Sequence, residues 1–144
     1  MKQLIALILV FFSTSFVTAQ NDDEPVVWTQ ELRQISDSEY ELVMKAAIAD
    51  EWHIFSQHTP EGGSFPSTFT YAGVGEDYEL MGDTSESETT SKFEEAFGIE
   101  EVFFIKQAIF KQKVKLLNTA TRQIDVNIWY QVCKEVCIQQ EYDF

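Results

Sequence analysis

Apolar and polar side chains alternate along much of this chain with a period of two residues, a pattern that predicts β-strands. The longest such segment runs from Tyr40 to Ile48, with apolar residues at every second position and Glu41 and Lys45 between them. A later segment, 110–116, repeats the pattern, with three lysines at alternate positions. Successive side chains of a strand point to opposite faces. We therefore expect each segment to bury one face and to expose the other.

Shorter strand-like segments surround these two, and no part of the chain after the N-terminus shows the 3.6-residue period of a long helix. Many short strands at close spacing predict an all-β fold. We predict one domain, an antiparallel β-sandwich of the immunoglobulin-like type. The additional strands are expected at 26–35, 52–55, 68–71, 78–81, the first part of 102–117, 124–132 and 138–144.

Three connections have compositions that predict their structure. The segment 82–92 is rich in serine, threonine and glutamate, and we expect an exposed loop. In 93–98, aromatic residues flank two carboxylates, which is compatible with a helical turn. The segment 118–121 separates the lysine-rich strand from the next one, and we expect a hairpin connection there.

Residues 1–19 are predicted to be a secretory signal peptide and not part of the fold. Lys2 precedes an apolar run from Leu4 to Phe12, and small residues end this segment at Ala19. The apolar run is short for a membrane-spanning helix, although an uncleaved N-terminal anchor is the alternative. Cleavage after Ala19 leaves 144 − 19 = 125 residues. We expect this domain, 20–144, to be periplasmic or secreted, without stable insertion in a membrane.

The charge of the chain excludes some classes of partner. It has 24 acidic and 10 basic residues, with a formal net charge of −14. Such a balance argues against binding to nucleic acid or to anionic lipid surfaces. The sequence also has no glycine-rich phosphate loop and no serine-centred catalytic motif. We expect no cofactor, and the remaining candidate chemistry is that of the cysteines.

Cys133 and Cys137 are the only two cysteines, and they follow the last long strand. Four residues of straight strand span about 13 Å, whereas the Cα atoms of a disulfide lie roughly 4.4–6.8 Å apart. A bond between them therefore requires residues 134–136 to form a hairpin loop. If the strand continues unbroken, Cys133 shares its polar side with Asn127 and Gln131, so we expect Cys133 to be reachable.

A disulfide that closes so small a loop adds little stability through the unfolded chain, which favours thiol–disulfide exchange over stabilisation. Lys134 would favour a thiolate and Glu135 would oppose it. One alternative is a structural disulfide in a non-enzymatic binding module. Another is a zinc or copper site formed by His53, His58 and the two cysteines. Three residues between the cysteines, and the lack of a βαβ pattern, exclude a thioredoxin fold.

Several short motifs resemble the N-terminal domain family of the thiol:disulfide interchange reductase DsbD. The segment 130–133, Tyr-Gln-Val-Cys, is similar to the start of the family's reactive cysteine hairpin. The segment 50–55 resembles its Asp-Gly-aromatic-aromatic-Leu-aromatic motif, and 94–98 resembles the loop that caps the cysteines. The resemblance extends from about Trp28 to Phe144.

The resemblance implies a redox relay in an immunoglobulin-like domain. Electrons would come from a thioredoxin-like protein or a separate membrane reductase and pass to oxidised exported proteins. Cys137 would form mixed disulfides, and Cys133 would resolve them. Phe97 would shield the cysteines, and the two glutamates of the cap loop would assist proton movement. The residues implied for the cap loop and for proton assistance are Glu94, Glu95, Phe97 and Gly98.

The sequence departs from the family pattern at several positions. Glu51 replaces the glycine of the aromatic motif, and Ala96 replaces an aromatic residue of the cap loop. Gln139 and Gln140 stand where the family commonly has two prolines, and the family's cysteine spacing is commonly wider. These differences bear on the geometry of the cysteine hairpin and on its reduction potential.

Overall fold

Residues 24–144 are described by a computed structural model, and within this range the chain forms β-strands joined by turns and loops. The predicted signal peptide lies outside the described residues. The strands are β1 (Val26–Gln34), β2 (Glu39–Ile48), β3 (His53–Phe55), β4 (Thr68–Tyr71), β5 (Tyr78–Leu80), β6 (Ser85–Glu86), β7 (Thr90–Glu94), β8 (Ile99–Ile105), β9 (Gln107–Leu116), β10 (Val126–Cys133) and β11 (Cys137–Asp143).

These strands form two antiparallel sheets. The first has the order β1-β2-β9-β5, with β6 also paired to β9. The second has the order β11-β10-β3-β8-β7, with β4 also paired to β10. The prediction of an antiparallel, immunoglobulin-like β-sandwich is confirmed.

The core lies between the two sheets, where their apolar faces meet. Strands β2 and β9 contribute alternate side chains, as the period-two pattern predicts. Trp28, on the edge strand β1, joins this core, with its ring centroid 5.4 Å from that of Tyr130 on the opposite sheet. Burial of such side chains stabilises the fold by about 1.5–3 kcal/mol each. Core residues that are at most 4% exposed include Leu42, Met44, Phe110, Ile54, Phe104 and Ile128.

The chain changes sheet on both sides of β9. β8 belongs to the second sheet and β9 to the first, with Lys106 between them at a φ of 65°. β10 returns to the second sheet, so the expected hairpin at 118–121 is wrong. The physical reason is that β2 already pairs with one edge of β9, and β5 and β6 pair with the other. No edge of β9 is left for β10.

The expectation of an exposed loop at 82–92 is also wrong in part. Ser85–Glu86 forms β6, which pairs with β9. Strand β7 begins at Thr90 and pairs with β8. Polar strands of this kind are tolerated at a sheet edge because their side chains reach water. Residues 95–98 form the turn of the β7–β8 hairpin, in which Gly98 donates its N–H to the Glu94 carbonyl at 2.9 Å. This bond spans four residues, as in a single helical turn, and here the turn joins the two strands of a hairpin.

One long loop between β3 and β4 bears directly on the functional site. Both strands pair with the same edge of β10, β3 near its C-terminal end and β4 nearer its start. The chain therefore leaves the sheet at Ser56 and rejoins it at Ser67, whose N–H bonds to the Ser56 carbonyl at 3.3 Å. We call this segment, 56–67, the β3–β4 loop. It crosses the outer face of the second sheet, which is the face turned away from the first sheet.

Candidate functional site

Cys133 and Cys137 form a disulfide across a tight hairpin. β10 ends at Cys133 and β11 begins at Cys137, and the ladder between these strands places the two residues opposite each other. Their Cα atoms lie 4.1 Å apart. The Lys134 N–H donates to the Val136 carbonyl at 3.3 Å and closes the turn. The predicted hairpin of three loop residues is confirmed.

The two cysteines differ in their exposure to solvent. Cys133 is only 3% exposed, because it lies between β11 on one side and β3 on the other. Cys137 is exposed on the edge strand β11. The expectation that Cys133 would be reachable is therefore wrong. Strand periodicity indicates on which face a residue lies, but not which strands flank it.

His53 lies directly opposite Cys133 in the ladder between β3 and β10. Directly opposite residues share a face of the sheet, with Cβ atoms about 4.5–5.5 Å apart. The imidazole packs against Phe55 and Phe103, at ring-centroid distances of 5.2 and 5.0 Å. Burial lowers the pKa of His53, and Glu101 opposes this change while Lys92 adds to it. The sequence offers His53 as a metal ligand and as part of the motif at 50–55, but it does not indicate the contact with Cys133.

The β3–β4 loop covers the outer face beside this pair. Phe65 donates its N–H to the Gln131 side-chain oxygen at 2.8 Å, and its ring lies 5.7 Å from that of Trp129. Ser64 donates its N–H to a carboxylate oxygen of Glu101 at 2.9 Å. The polar side chain of Gln131, two residues before Cys133, thus anchors the loop and is not turned freely to solvent.

The predicted cap residues lie at the tip of the β7–β8 hairpin. Phe97 is 53% exposed, and its ring is so close to Gly63 that a Cβ there would be 3.0 Å from the Phe97 Cδ2 atom. Glu94 is half-buried and pairs with Lys92 at 3.7 Å, while Glu95 is exposed. Phe97 therefore packs on the β3–β4 loop, which also contacts Gln131 beside the disulfide. Gly98 adopts a φ of 70°, which favours glycine.

An ion pair ties the disulfide hairpin to the turn before β3. The Lys134 ammonium lies 3.0 Å from the Glu51 carboxylate. Glu51 has a φ of 70°, the left-handed region in which glycine is the usual residue. The charge of Lys134, which we expected to favour a thiolate, is thus offset by Glu51. The sequence signal for this contact was the glutamate at the glycine position of the motif.

The proposed metal ligands do not come together. His53 lies on the outer face next to Cys133, whereas His58 lies on the β3–β4 loop and is exposed. Across residues 24–144 we find no group of three or more histidine, cysteine, aspartate or glutamate side chains arranged to hold a metal ion. The same part of the chain has no helix of the length and hydrophobicity needed to cross a membrane.

Comparison with known proteins gives one family and several structural neighbours. Residues 23–144 match the model of the family described as "Thiol:disulfide interchange protein DsbD, N-terminal". A search of curated protein sequences found no significant match. The fold is similar to the N-terminal periplasmic domain of ScsB from Proteus mirabilis, with a TM-score of 0.63 and 14% identity. That alignment covers 88% of this chain and 47% of the ScsB domain, so this chain spans about half of it.

A second neighbour comes from Neisseria meningitidis. It is the structure of the complex between the DsbD N-terminal and the PilB N-terminal domains, with a TM-score of 0.50 and 17% identity. The alignment covers 86% of this chain and 85% of that one. At these identities, both neighbours bear on the fold alone.

Proposed function

Since this chain belongs to the family of DsbD N-terminal domains, we propose that it relays reducing equivalents by thiol–disulfide exchange through Cys133 and Cys137. Membership of the family supports exchange in general. The direction that we propose is from a thioredoxin-like protein or a separate membrane reductase to oxidised exported proteins. The proposed compartment is the periplasm, reached after cleavage of a signal peptide at Ala19.

The observation that carries this proposal is the unequal exposure of the two bonded cysteines. A thiolate breaks a disulfide by attacking one sulfur, and the other sulfur leaves as a thiolate. Cys137 is exposed and Cys133 is 3% exposed, so Cys137 is the cysteine more accessible to an incoming thiolate. Cys137 is then the residue that forms mixed disulfides, and Cys133 is the leaving group. In the opposite direction, Cys133 attacks the mixed disulfide and releases the partner.

Apolar side chains near the disulfide support docking of a protein partner. Val136, in the hairpin loop, is 73% exposed, and Ile105, opposite His53, is 50% exposed. Exposed apolar groups gathered at one place commonly mark an interaction surface. The structure of a DsbD N-terminal domain in complex with the PilB N-terminal domain is consistent with such docking in the family. We propose a thioredoxin-like domain as the partner here.

We further propose that the β7–β8 hairpin tip is a cap for this centre, with Phe97 as its contact residue. Phe97 rests on the β3–β4 loop, and the same loop is bonded to Gln131, two residues from Cys133. The cap would thus act through the β3–β4 loop. Gly98 provides the tight turn, and Glu94 and Glu95 are the proposed proton-assisting groups.

Trapping of a mixed disulfide tests the proposed roles of the cysteines. The matched variants are Cys133→Ser, which retains the exposed thiol, and Cys137→Ser, which retains the buried one. The partner is a thioredoxin that lacks its resolving cysteine. The remaining thiol of this thioredoxin is first activated as an aromatic disulfide, and each variant is then incubated with it. We expect a stable covalent complex with Cys133→Ser and little with Cys137→Ser. Equal trapping by both variants, or by neither, contradicts the assignment.

The reduction potential of the pair decides between exchange and a structural disulfide. The protein is equilibrated in defined thiol buffers, and its alkylated cysteines are counted by mass. We expect a potential above about −300 mV, the range of labile disulfides. A much lower potential would support the alternative, a binding module in which the disulfide only stabilises the hairpin.

A further inference from the structure

We propose that His53 accepts the proton of the Cys133 thiol when Cys133 resolves a mixed disulfide. This inference rests on the proposed function, because it assigns a group that would assist the second half of the exchange. The basis is geometric, because His53 is the cross-strand neighbour of the buried cysteine. The family motif has an aromatic residue at this position, so the proton acceptor would be a feature of this chain.

The buried position of Cys133 creates the need for such a group. A thiol attacks only as the thiolate, and apolar surroundings raise the pKa of a cysteine thiol. Cys133 is 3% exposed in the disulfide-bonded protein. If the strands keep their places on reduction, water has little access to the thiol proton. The flanking cation, Lys134, is paired with Glu51 at 3.0 Å. A base on the same face of the sheet can accept the thiol proton, which neither the solvent nor Lys134 is placed to do.

The surroundings of His53 suit a neutral imidazole. On β3 and β8 it packs against the rings of Phe55 and Phe103, which shield it from water. Burial lowers its pKa, with an opposing effect of Glu101 on β8 and a smaller reinforcing effect of Lys92 on β7. A neutral imidazole has a free nitrogen lone pair at neutral pH. Glu101 can then stabilise the imidazolium that forms during the step.

The step is balanced in atoms and electrons. The Cys133 S–H bond breaks, and its proton moves to an imidazole nitrogen of His53. The Cys133 thiolate attacks the Cys137 sulfur of the mixed disulfide, which forms the Cys133–Cys137 bond and releases the partner's sulfur as a thiolate. The partner is thereby reduced and the cysteine pair is oxidised. The imidazolium then returns its proton to the released thiolate or to water.

Stopped-flow oxidation of the reduced protein by an equimolar small aromatic disulfide, Ellman's reagent, isolates this step. Attack by Cys137 releases the first coloured thiolate, and attack by Cys133 on the resulting mixed disulfide releases the second. The variants are His53→Phe, which keeps an aromatic ring, and His53→Gln, which keeps a polar side chain. His58→Gln, on the exposed part of the β3–β4 loop, is the matched control.

We expect the second release to slow by about tenfold or more in both His53 variants at neutral pH, since general-base assistance typically contributes at least this much. The first release should be unchanged, and His58→Gln should behave as the wild type. In the wild type the second rate should level off once the imidazole is neutral. In the variants it should continue to rise with pH until the thiol itself ionises.

Two results would overturn the inference. The first is a second release with the same rate and the same pH profile in the His53 variants and in the wild type. The second is an equal slowing of both releases with an unchanged pH profile, which would assign His53 a packing role only. Because the reagent is a small molecule, the two release rates can be measured even if the protein reacts with no thioredoxin-like partner. A failure of the proposed function can therefore be told apart from a failure of the role proposed for His53.

Discussion

The Glu51 carboxylate lies 3.0 Å from the Lys134 ammonium and so joins the turn before β3 to the hairpin that carries the disulfide. Glu51 holds a φ of 70°, a conformation that costs a residue other than glycine about 1–2 kcal/mol. Its side chain is 76% exposed, and an exposed ion pair contributes at most about 1 kcal/mol. The backbone strain at this position therefore equals or exceeds the contribution of the ion pair.

This balance predicts the order of stability of two variants. Glu51→Ala loses the ion pair and keeps the strained backbone, whereas Glu51→Gly loses the ion pair and relieves the strain. We expect Glu51→Gly to be more stable than Glu51→Ala by about 1 kcal/mol. Urea denaturation of the oxidised proteins measures the difference. Equal stabilities would show that the left-handed conformation at this position costs nothing.

The proposed cap predicts different effects of two exposed phenylalanines on the same hairpin. Phe97 is 53% exposed and packs against the β3–β4 loop, while Phe93 is 60% exposed on β7. Each substitution by alanine should cost less than about 1 kcal/mol of stability, because little apolar surface is buried. We expect Phe97→Ala to raise the rate of reduction of the disulfide by glutathione several-fold. Phe93→Ala is the control and should leave that rate unchanged. An equal rise in the rate for both variants would contradict the proposed role of Phe97 as a cap.

Burial of His53 predicts a loss of stability in mild acid. Folding lowers the pKa of His53 below its ordinary value of 6.5, since burial disfavours the imidazolium. The unfolded chain therefore binds a proton first as the pH falls. This contribution to stability is complete above 6.5 and is lost as the pH falls through that value toward the folded pKa. It should be absent in His53→Phe.

The measurement is the free energy of unfolding of the oxidised protein in urea at about pH 7.5 and about pH 5.5. We expect a smaller decline for His53→Phe than for the wild type, while His58→Gln should decline as the wild type does. The carboxylates also change the free energy of unfolding with pH, but all three proteins share them, so the comparison removes their contribution. An identical decline in all three proteins would mean that His53 titrates alike in the folded and unfolded states.

A part-buried polar chain centred on Thr84 predicts the cost of one hydroxyl group. The Thr84 hydroxyl donates to the Gln112 side-chain oxygen at 2.8 Å and lies 2.6 Å from the Tyr71 hydroxyl. Its own proton is committed to Gln112, so the Tyr71 hydroxyl is the donor of the second bond. Burial raises the pKa of Tyr71 to about 12, which keeps that donor protonated.

Thr84→Val removes the centre of this chain and leaves Tyr71 and Gln112 each without one partner. We expect a loss of about 1–3 kcal/mol, the typical cost of an unpaired buried polar group. Thr89→Val, at an exposed position between β6 and β7, should change stability by less than about 0.5 kcal/mol. Urea unfolding of both variants gives the comparison. A loss no larger for Thr84→Val than for Thr89→Val would show that water replaces the missing hydroxyl.

Predictions that rest on residues close together in the chain were correct. The alternation along β2 and β9 identified their buried faces, because in a strand the side of a residue follows from its parity. A bond between Cys133 and Cys137 required a hairpin, because no straight strand brings the two Cα atoms close enough. The short motifs around the cysteines also identified the family, which the match over residues 23–144 shows.

The sequence by itself thus determined most of the strands, the sandwich class and the hairpin that a bond between the cysteines requires. It missed β6 and β7, because their polar side chains do not alternate with apolar ones. Only the tertiary structure decided which sheet each strand joins, as at β9 and β10, and which side chains meet across a ladder. It buried Cys133 between β3 and β11 and placed His53 opposite it, although the two are far apart in the chain. Such pairings depend on which strand edges are free once the core has formed. Periodicity carries no information about that choice, because every strand with the same pattern fits either edge equally well.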